Sequence, residues 1–211
     1  LSVMYPNPGM FVVRGDSAYA SIEDLEGQPV AFGTQASGLR ILANDVLDGL
    51  GLQPEKDFRQ IILEKAADGP RLVLDGDADA LWGAGIGWPG FVAVADGPAG
   101  GRFIPPSPEQ IKQIREKHPH LQEMRVPAGT YKGQAEDIPS VGLWSLILAR
   151  PDLDDETAYR LVRAMHLGHD DFAARLPQGR YTRAANSVRF VPAERLHPGA
   201  RKFYAEIGLL P

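Results

Sequence analysis

The chain has 211 residues, is 44% hydrophobic and 23% charged, and carries a formal net charge of −5; it is long enough for its own core, and the charge excludes a general nucleic-acid binder held by phosphate contacts. Cys is absent, which removes disulfide scaffolds, thiolate metal sites, iron–sulfur ligation and Cys nucleophiles. No apolar run approaches the roughly 20 residues that span a bilayer, and the 23 Gly and 18 Pro are scattered as short punctuations, not gathered into a linker.

Leu1–Pro6 has neither a basic n-region nor an apolar h-region, so no signal peptide is read there. Nothing before Phe11 has the pattern of a domain's first element, and Met10–Arg14 predicts a short strand. After the acidic stretch Ser21–Leu25 and the turn Glu26-Gly27, Gln28–Gly33 predicts a buried strand. Leu39, Leu42, Val46, Leu47 and Leu50 recur at helical spacing, and Gly51 stops that helix. Ile61–Leu63 predicts a third strand, Lys65–Leu74 a helix weakened by Gly69-Pro70, and Asp77–Trp82 a fourth strand. Strands that are apolar throughout, alternating with helices, argue for an α/β fold with a parallel sheet covered by helices. A glycine-rich loop, Gly83–Gly90, follows. Ser107 as N-cap, Pro108 at the first helical position and Gln110 at the third open a helix running to about Lys117. Val141–Ala149 predicts a long strand, Asp154 caps a helix through Met165, and Pro198–Ile207 is a last short helix.

Two places can hold a ligand. Ala36-Ser37-Gly38 lies between a strand and the first turn of a helix, whose unpaired N–H groups and positive dipole end suit a carboxylate or phosphate; on residue pattern alone the favoured reading is that Ser37, among the commonest N-cap residues, serves its own helix. The loop holds a literal G-x-G-x-x-G at Gly85, Gly87 and Gly90, but Phe91–Val94 shows no helical pattern, which tells against a dinucleotide fingerprint. The better reading is a ligand loop at the carboxyl end of a parallel strand, with Trp88 either a stacking wall or a core plug. His166-x-x-His169 and His118-Pro119-His120 read as solvated helix ends, Asp75, Asp77 and Asp79 fail the EF-hand pattern, and no nucleophile elbow or phosphate loop occurs. No catalytic set, metal site or cofactor is expected, so binding is favoured over catalysis.

The residues also resemble a known family. Ser21–Gly33 with Ala36-Ser37-Gly38, and Leu74–Ala80, look like the second lobe of type II periplasmic binding proteins. Val126-Pro127-Ala128-Gly129-Thr130-Tyr131-Lys132-Gly133-Gln134 and Leu196-His197-Pro198-Gly199-Ala200-Arg201-Lys202-Phe203-Tyr204 are similar to motifs of the TAXI family, solute receptors of TRAP transporters. The resemblance covers about Phe11–Gly208. It implies a type II periplasmic binding fold with one complete lobe and part of another: 1–20 as first hinge strand and lobe-1 remnant, 21–139 as lobe 2, and 140–211 as return strand and lobe-1 helices. It further implies a periplasmic receptor that captures a small carboxylate, such as glutamate or a related dicarboxylate, and delivers it to membrane permease subunits. Thr34, Gln35, Ser37 and Gly38 would form the anion cradle, Gly85, Gly87 and Trp88 the facing loop, and Tyr131 would lie near the cleft or hinge. Two departures stand out. Leu39-Arg40 replaces the family's Thr-Glu, which changes the ligand or points Arg40 to solvent, and the chain begins after the first lobe's opening β-α-β-α stretch. The missing part would leave Val141–Ala149 as an exposed sheet edge inviting dimerisation. The alternative is a sensory or regulatory ligand-binding domain on the same fold.

Overall fold

The first strand starts earlier than its sequence pattern predicts. In the computed structural model, which describes all 211 residues, β1 spans Ser2–Arg14, with Val3 and Met10–Val13 buried. Pro6 and Pro8 mask its first half, because proline cannot donate to a ladder and reads as a strand breaker.

Two compact units divide the chain, Asn7–Leu143 and Leu1–Pro6 with Trp144–Pro211. In the larger unit, β2 (Pro29–Thr34) lies between β3 (Arg59–Leu63) and β4 (Ala80–Ala84) and runs parallel to both. The parallel arrangement expected from the apolar strands holds for these three. The full sheet is mixed: β1 pairs antiparallel with β4 on one side and with β5 (Gly101–Ile104) on the other. β7 (Ile138–Ile147) neighbours β1 and pairs antiparallel with β6 (Gln122–Val126) over Ile138–Gly142, so that half of β7 is not a sheet edge.

Helices α1 (Gly38–Gly49) and α5 (Pro108–Lys117) cover one face. Leu42, Val46 and Leu47 of α1 and Ile111 and Ile114 of α5 join Phe11, Phe32, Phe58 and Trp82 in one core. Phe11 meets Trp82 at 4.8 Å and Phe32 at 5.9 Å edge-on, and stacks on Phe58 at 6.3 Å. The short α2 (Pro54–Asp57) leads into β3. The predicted helix from Lys65 is a 3-10 turn at Ala66–Asp68 followed by α3 (Gly69–Asp75). Gly69-Pro70 starts that helix and does not break it, since proline is tolerated in a first turn. α4 (Pro89–Ala95) is a correction of substance: Phe91–Val94, read as lacking helical pattern, is helical. Phe91, Val94 and Ala95 are its buried side, and the unbroken apolar run hid the period.

The smaller unit holds α6 (Asp155–Leu167), α7 (His169–Arg175), α8 (Ala184–Phe190) and α9 (Pro198–Glu206). Val162, Leu196, Ala200, Phe203 and Tyr204 form its core. A Cβ on Gly199 would stand 2.0 Å from the Asp155 carbonyl, so only glycine lets α9 approach α6 this closely. His197 accepts from the Gly199 amide at 3.2 Å and its other ring nitrogen lies 3.0 Å from the Leu153 carbonyl. The motif Leu196–Tyr204 is thus a packing and capping device.

Candidate functional site

β2 and β4 are adjacent and parallel, with Val30 opposite Ala80 and Ala31 opposite Leu81. Their carboxyl ends therefore open at the same end of the sheet, where open α/β sheets place ligands. Thr34, Gln35, Ser37 and Gly38 follow one strand, and Gly85, Gly87 and Trp88 follow the other.

Ser37 is the N-cap of α1. Its Oγ accepts from the Arg40 amide at 3.4 Å and donates to the Thr34 carbonyl at 3.0 Å. The amides of Gly38 and Leu39 at that helix start have no intrahelical acceptor. A Cβ built on Gly38 meets nothing within 4 Å, so the helix N-terminus faces open space. Trp82 Nε1 donates to the Leu39 carbonyl at 2.8 Å, tying β4 to the first turn of α1. Arg40 does not point to solvent: its side chain is 13% exposed, and its guanidinium donates to Gln35 Oε1 at 2.8 Å and to Glu55 at 3.3 Å. A cation thus stands beside the α1 N-terminus, partly neutralised by Glu55.

Tyr131 is 4% exposed. Its hydroxyl donates to the Gly85 carbonyl at 2.9 Å and accepts from the Gly87 amide at 3.0 Å. The motif Val126–Gln134 exists to present that ring. Gln134 accepts from the Tyr131 amide and donates to the carbonyls of Pro127 and Glu136, while Thr130 Oγ1 donates to Pro127. The Tyr131 ring stacks on Phe103 at 4.5 Å and meets Phe91 edge-on at 5.8 Å.

The glycine loop does not have the geometry of a dinucleotide fingerprint, although a helix does follow it. The Gly85 amide is bonded to the Pro8 carbonyl and the Gly87 amide to Tyr131, so two amides that a pyrophosphate would need are occupied. The third glycine, Gly90, carries the Trp88 ring, which would lie 2.3 Å from a Cβ there. Trp88 is half-buried against Phe91 at 5.0 Å, and its outer edge lines a groove of ≈ 500 Å³ with Pro70, Leu74 and Ala93.

Sequence reasoning missed two further clusters. His166 is not a solvated helix end: it stacks on Phe203 at 5.9 Å, its Nε2 lies 3.2 Å from the Tyr204 hydroxyl, and burial pushes its pKa down to about 4. His118 and His120 meet Asp45 and Asp48 of α1 across some seventy positions of sequence. The H-x-H spacing was the available signal, but its carboxylate partners are visible only in three dimensions.

The parallel strands, the antiparallel β1 inserted among them, and the open helix N-terminus define an α/β lobe of the type II binding-protein kind. No helix is long and apolar enough to cross a membrane. The chain belongs to the NMT1-like family, whose model matches residues 1–208. Solved structures that it resembles include the periplasmic sulfonate-binding protein of a sulfonate ABC transporter from Methylobacillus flagellatus (13% identity, 99% of this chain and 62% of that one, TM-score 0.49). Others are a TctC solute binding protein from Polaromonas (18%, 72% and 49%, 0.41) and an ABC transporter periplasmic binding protein from Brucella ovis with glutathione bound (12%, 81% and 46%, 0.40). The chain spans between 46% and 62% of the length of these three proteins.

Proposed function

We propose that this chain is part of a periplasmic solute receptor of the TAXI kind, which captures a small carboxylate and delivers it to the permease subunits of a TRAP-type transporter. The observation that carries the reading is the pairing, at one end of the sheet, of the open α1 N-terminus with the loop pinned by Tyr131. The amides of Gly38 and Leu39 supply donors and a positive dipole end, the Ser37 hydroxyl can turn from Thr34 to an incoming oxygen, and Arg40 adds a cation. Thr34 and Gln35 shape the near wall, and Gly85, Gly87 and Trp88 form the opposite one. Family membership and the motifs Val126–Gln134 and Leu196–Tyr204 support the receptor reading. Ligand binding would work by stabilising a closed state through differential affinity, the usual device of two-lobed receptors.

Glutamate or a related dicarboxylate is the proposed solute. Native mass spectrometry of the protein purified from its source, followed by calorimetry with the solute it retains, tests this. A saturable carboxylate is the expected result; an uncharged or cationic solute overturns the reading.

A further inference from the structure

We propose that Asp45, His118 and His120 form a binding site for a divalent late first-row transition metal ion, bridging α1 and the turn after α5. One ligand atom from each of the three residues lies within 4.8 Å of the others. Asp45 Oδ2 is 2.9 Å from His120 Nε2, and Asp45 Oδ1 is 3.8 Å from His118 Nδ1. Tetrahedral zinc with bonds of about 2.0–2.1 Å holds its donors about 3.3 Å apart. The two distances run to different oxygens of Asp45; with one carboxylate oxygen bound, the three donor atoms, now within 4.8 Å of one another, draw together by up to about 1.5 Å.

A fourth residue makes this more than three neighbours. His118 Nε2 lies 2.7 Å from Asp48 Oδ2, while Asp48 Oδ1 takes the Lys117 ammonium at 2.9 Å. With Nε2–H donating to Asp48, the His118 ring keeps the lone pair on Nδ1 facing Asp45. That is the carboxylate–histidine–metal arrangement by which outer residues fix a ligating imidazole. Asp48 is a positioning residue, and Lys117 offsets its charge.

The scaffold brings these groups together for a local reason. A Cβ on Gly49 would lie 2.8 Å from the Cα of Ile114, so α1 and α5 approach closely just where α5 ends at His118. Asp45 and Asp48, three apart, share one face of α1. Pro119 separates the histidines, and the two rings stand at 82° with centroids 5.7 Å apart, so they approach the carboxylate from different directions. The His120 side chain is 53% exposed, which opens the site to ions and leaves room for water to complete the shell. Two imidazoles and one carboxylate suit zinc, nickel or copper(II) better than calcium or magnesium. Asp45 lies eight residues from Ser37, about 12 Å along the helix, so the ion would tie α1 to α5 and leave the solute cradle free. This inference does not depend on the solute reading.

The probe is Zn²⁺ alone, titrated into the 211-residue chain against a chromogenic chelator. One ion per chain is expected, reversed by EDTA, with a rise in unfolding midpoint on binding. Asp48→Asn should weaken binding by about 10–100-fold, His120→Ala and Asp45→Asn by more, and His169→Ala not at all. Co²⁺ should give a visible absorption band that His120→Ala abolishes. Absence of saturable binding, or full affinity retained in both His120→Ala and Asp45→Asn, overturns the site. Full affinity in Asp48→Asn overturns the orienting role. Because His120 is exposed and outside the core, its variant should stay folded, and circular dichroism checks that.

Discussion

The Tyr131 hydroxyl accepts from the Gly87 amide at 3.0 Å while donating to Gly85 across the same loop. One buried phenol thus fixes both glycines, each with positive φ (118° and 70°). Tyr131→Phe keeps the ring stacked on Phe103 but leaves the buried Gly85 carbonyl and the half-buried Gly87 amide without this partner. Such losses cost about 1–3 kcal/mol. Urea unfolding should show that drop, and hydrogen exchange at Gly87 should accelerate. An unchanged Gly87 exchange rate would show that the phenol does not hold the loop.

Much of this was legible in the sequence where local chemistry and burial agree. The Ser107 capping box forms with both halves, Asp154 accepts from the Thr157 amide at 2.8 Å, and the apolar stripe of α1 is the buried one. Elements in which tertiary context overrides pattern were hidden. β6 alternates Gln122, Glu123, Met124 and Arg125 with only Val126 fully buried, and β5 is four residues long. The two loops of the candidate site were legible only as loops that follow two strands. The role of Tyr131 was not, since its partners lie 44 and 46 residues away in sequence.

Trp88 sits where Cβ atoms on Gly83 and Gly90 would be, at 2.4 and 2.3 Å. Gly83→Ala forces the indole off its seat and should destabilise by about 1–3 kcal/mol, the usual cost of overpacking. If Trp88 is the cause, Trp88→Ala combined with Gly83→Ala should be less than additive. Thermal denaturation of the two single variants and the double variant measures this, and strict additivity would refute the steric account.

His166 makes stability depend on pH. Burial lowers its folded pKa from 6.5 to about 4, so between those values the unfolded chain binds the extra proton. Stability therefore rises with pH across that window and falls on acidification. The ring keeps partial solvent contact, which reduces the effect to roughly 1–2 kcal/mol. His166→Phe preserves stacking on Phe203 and removes the titration. Urea midpoints at pH 4.5 and 7.5 should differ less in His166→Phe than in the parent; an equal difference would assign the pH dependence to other groups.

Gly38→Asp separates stability from solute binding. The backbone there has no positive φ, and a side chain meets open space, so the substitution has no steric cost. A carboxylate in the first turn of α1 complements the helix dipole and should stabilise by about 0.3–1 kcal/mol at low salt. The same carboxylate occupies the place proposed for the anionic solute, where juxtaposed like charges cost several kcal/mol. The expected result is an unfolding midpoint equal to or above that of the parent, together with at least about tenfold weaker carboxylate binding by calorimetry. Gly38→Asn, without the charge, should bind better than Gly38→Asp. Undiminished binding in Gly38→Asp would place the solute elsewhere, because no fold defect would be available to explain the result.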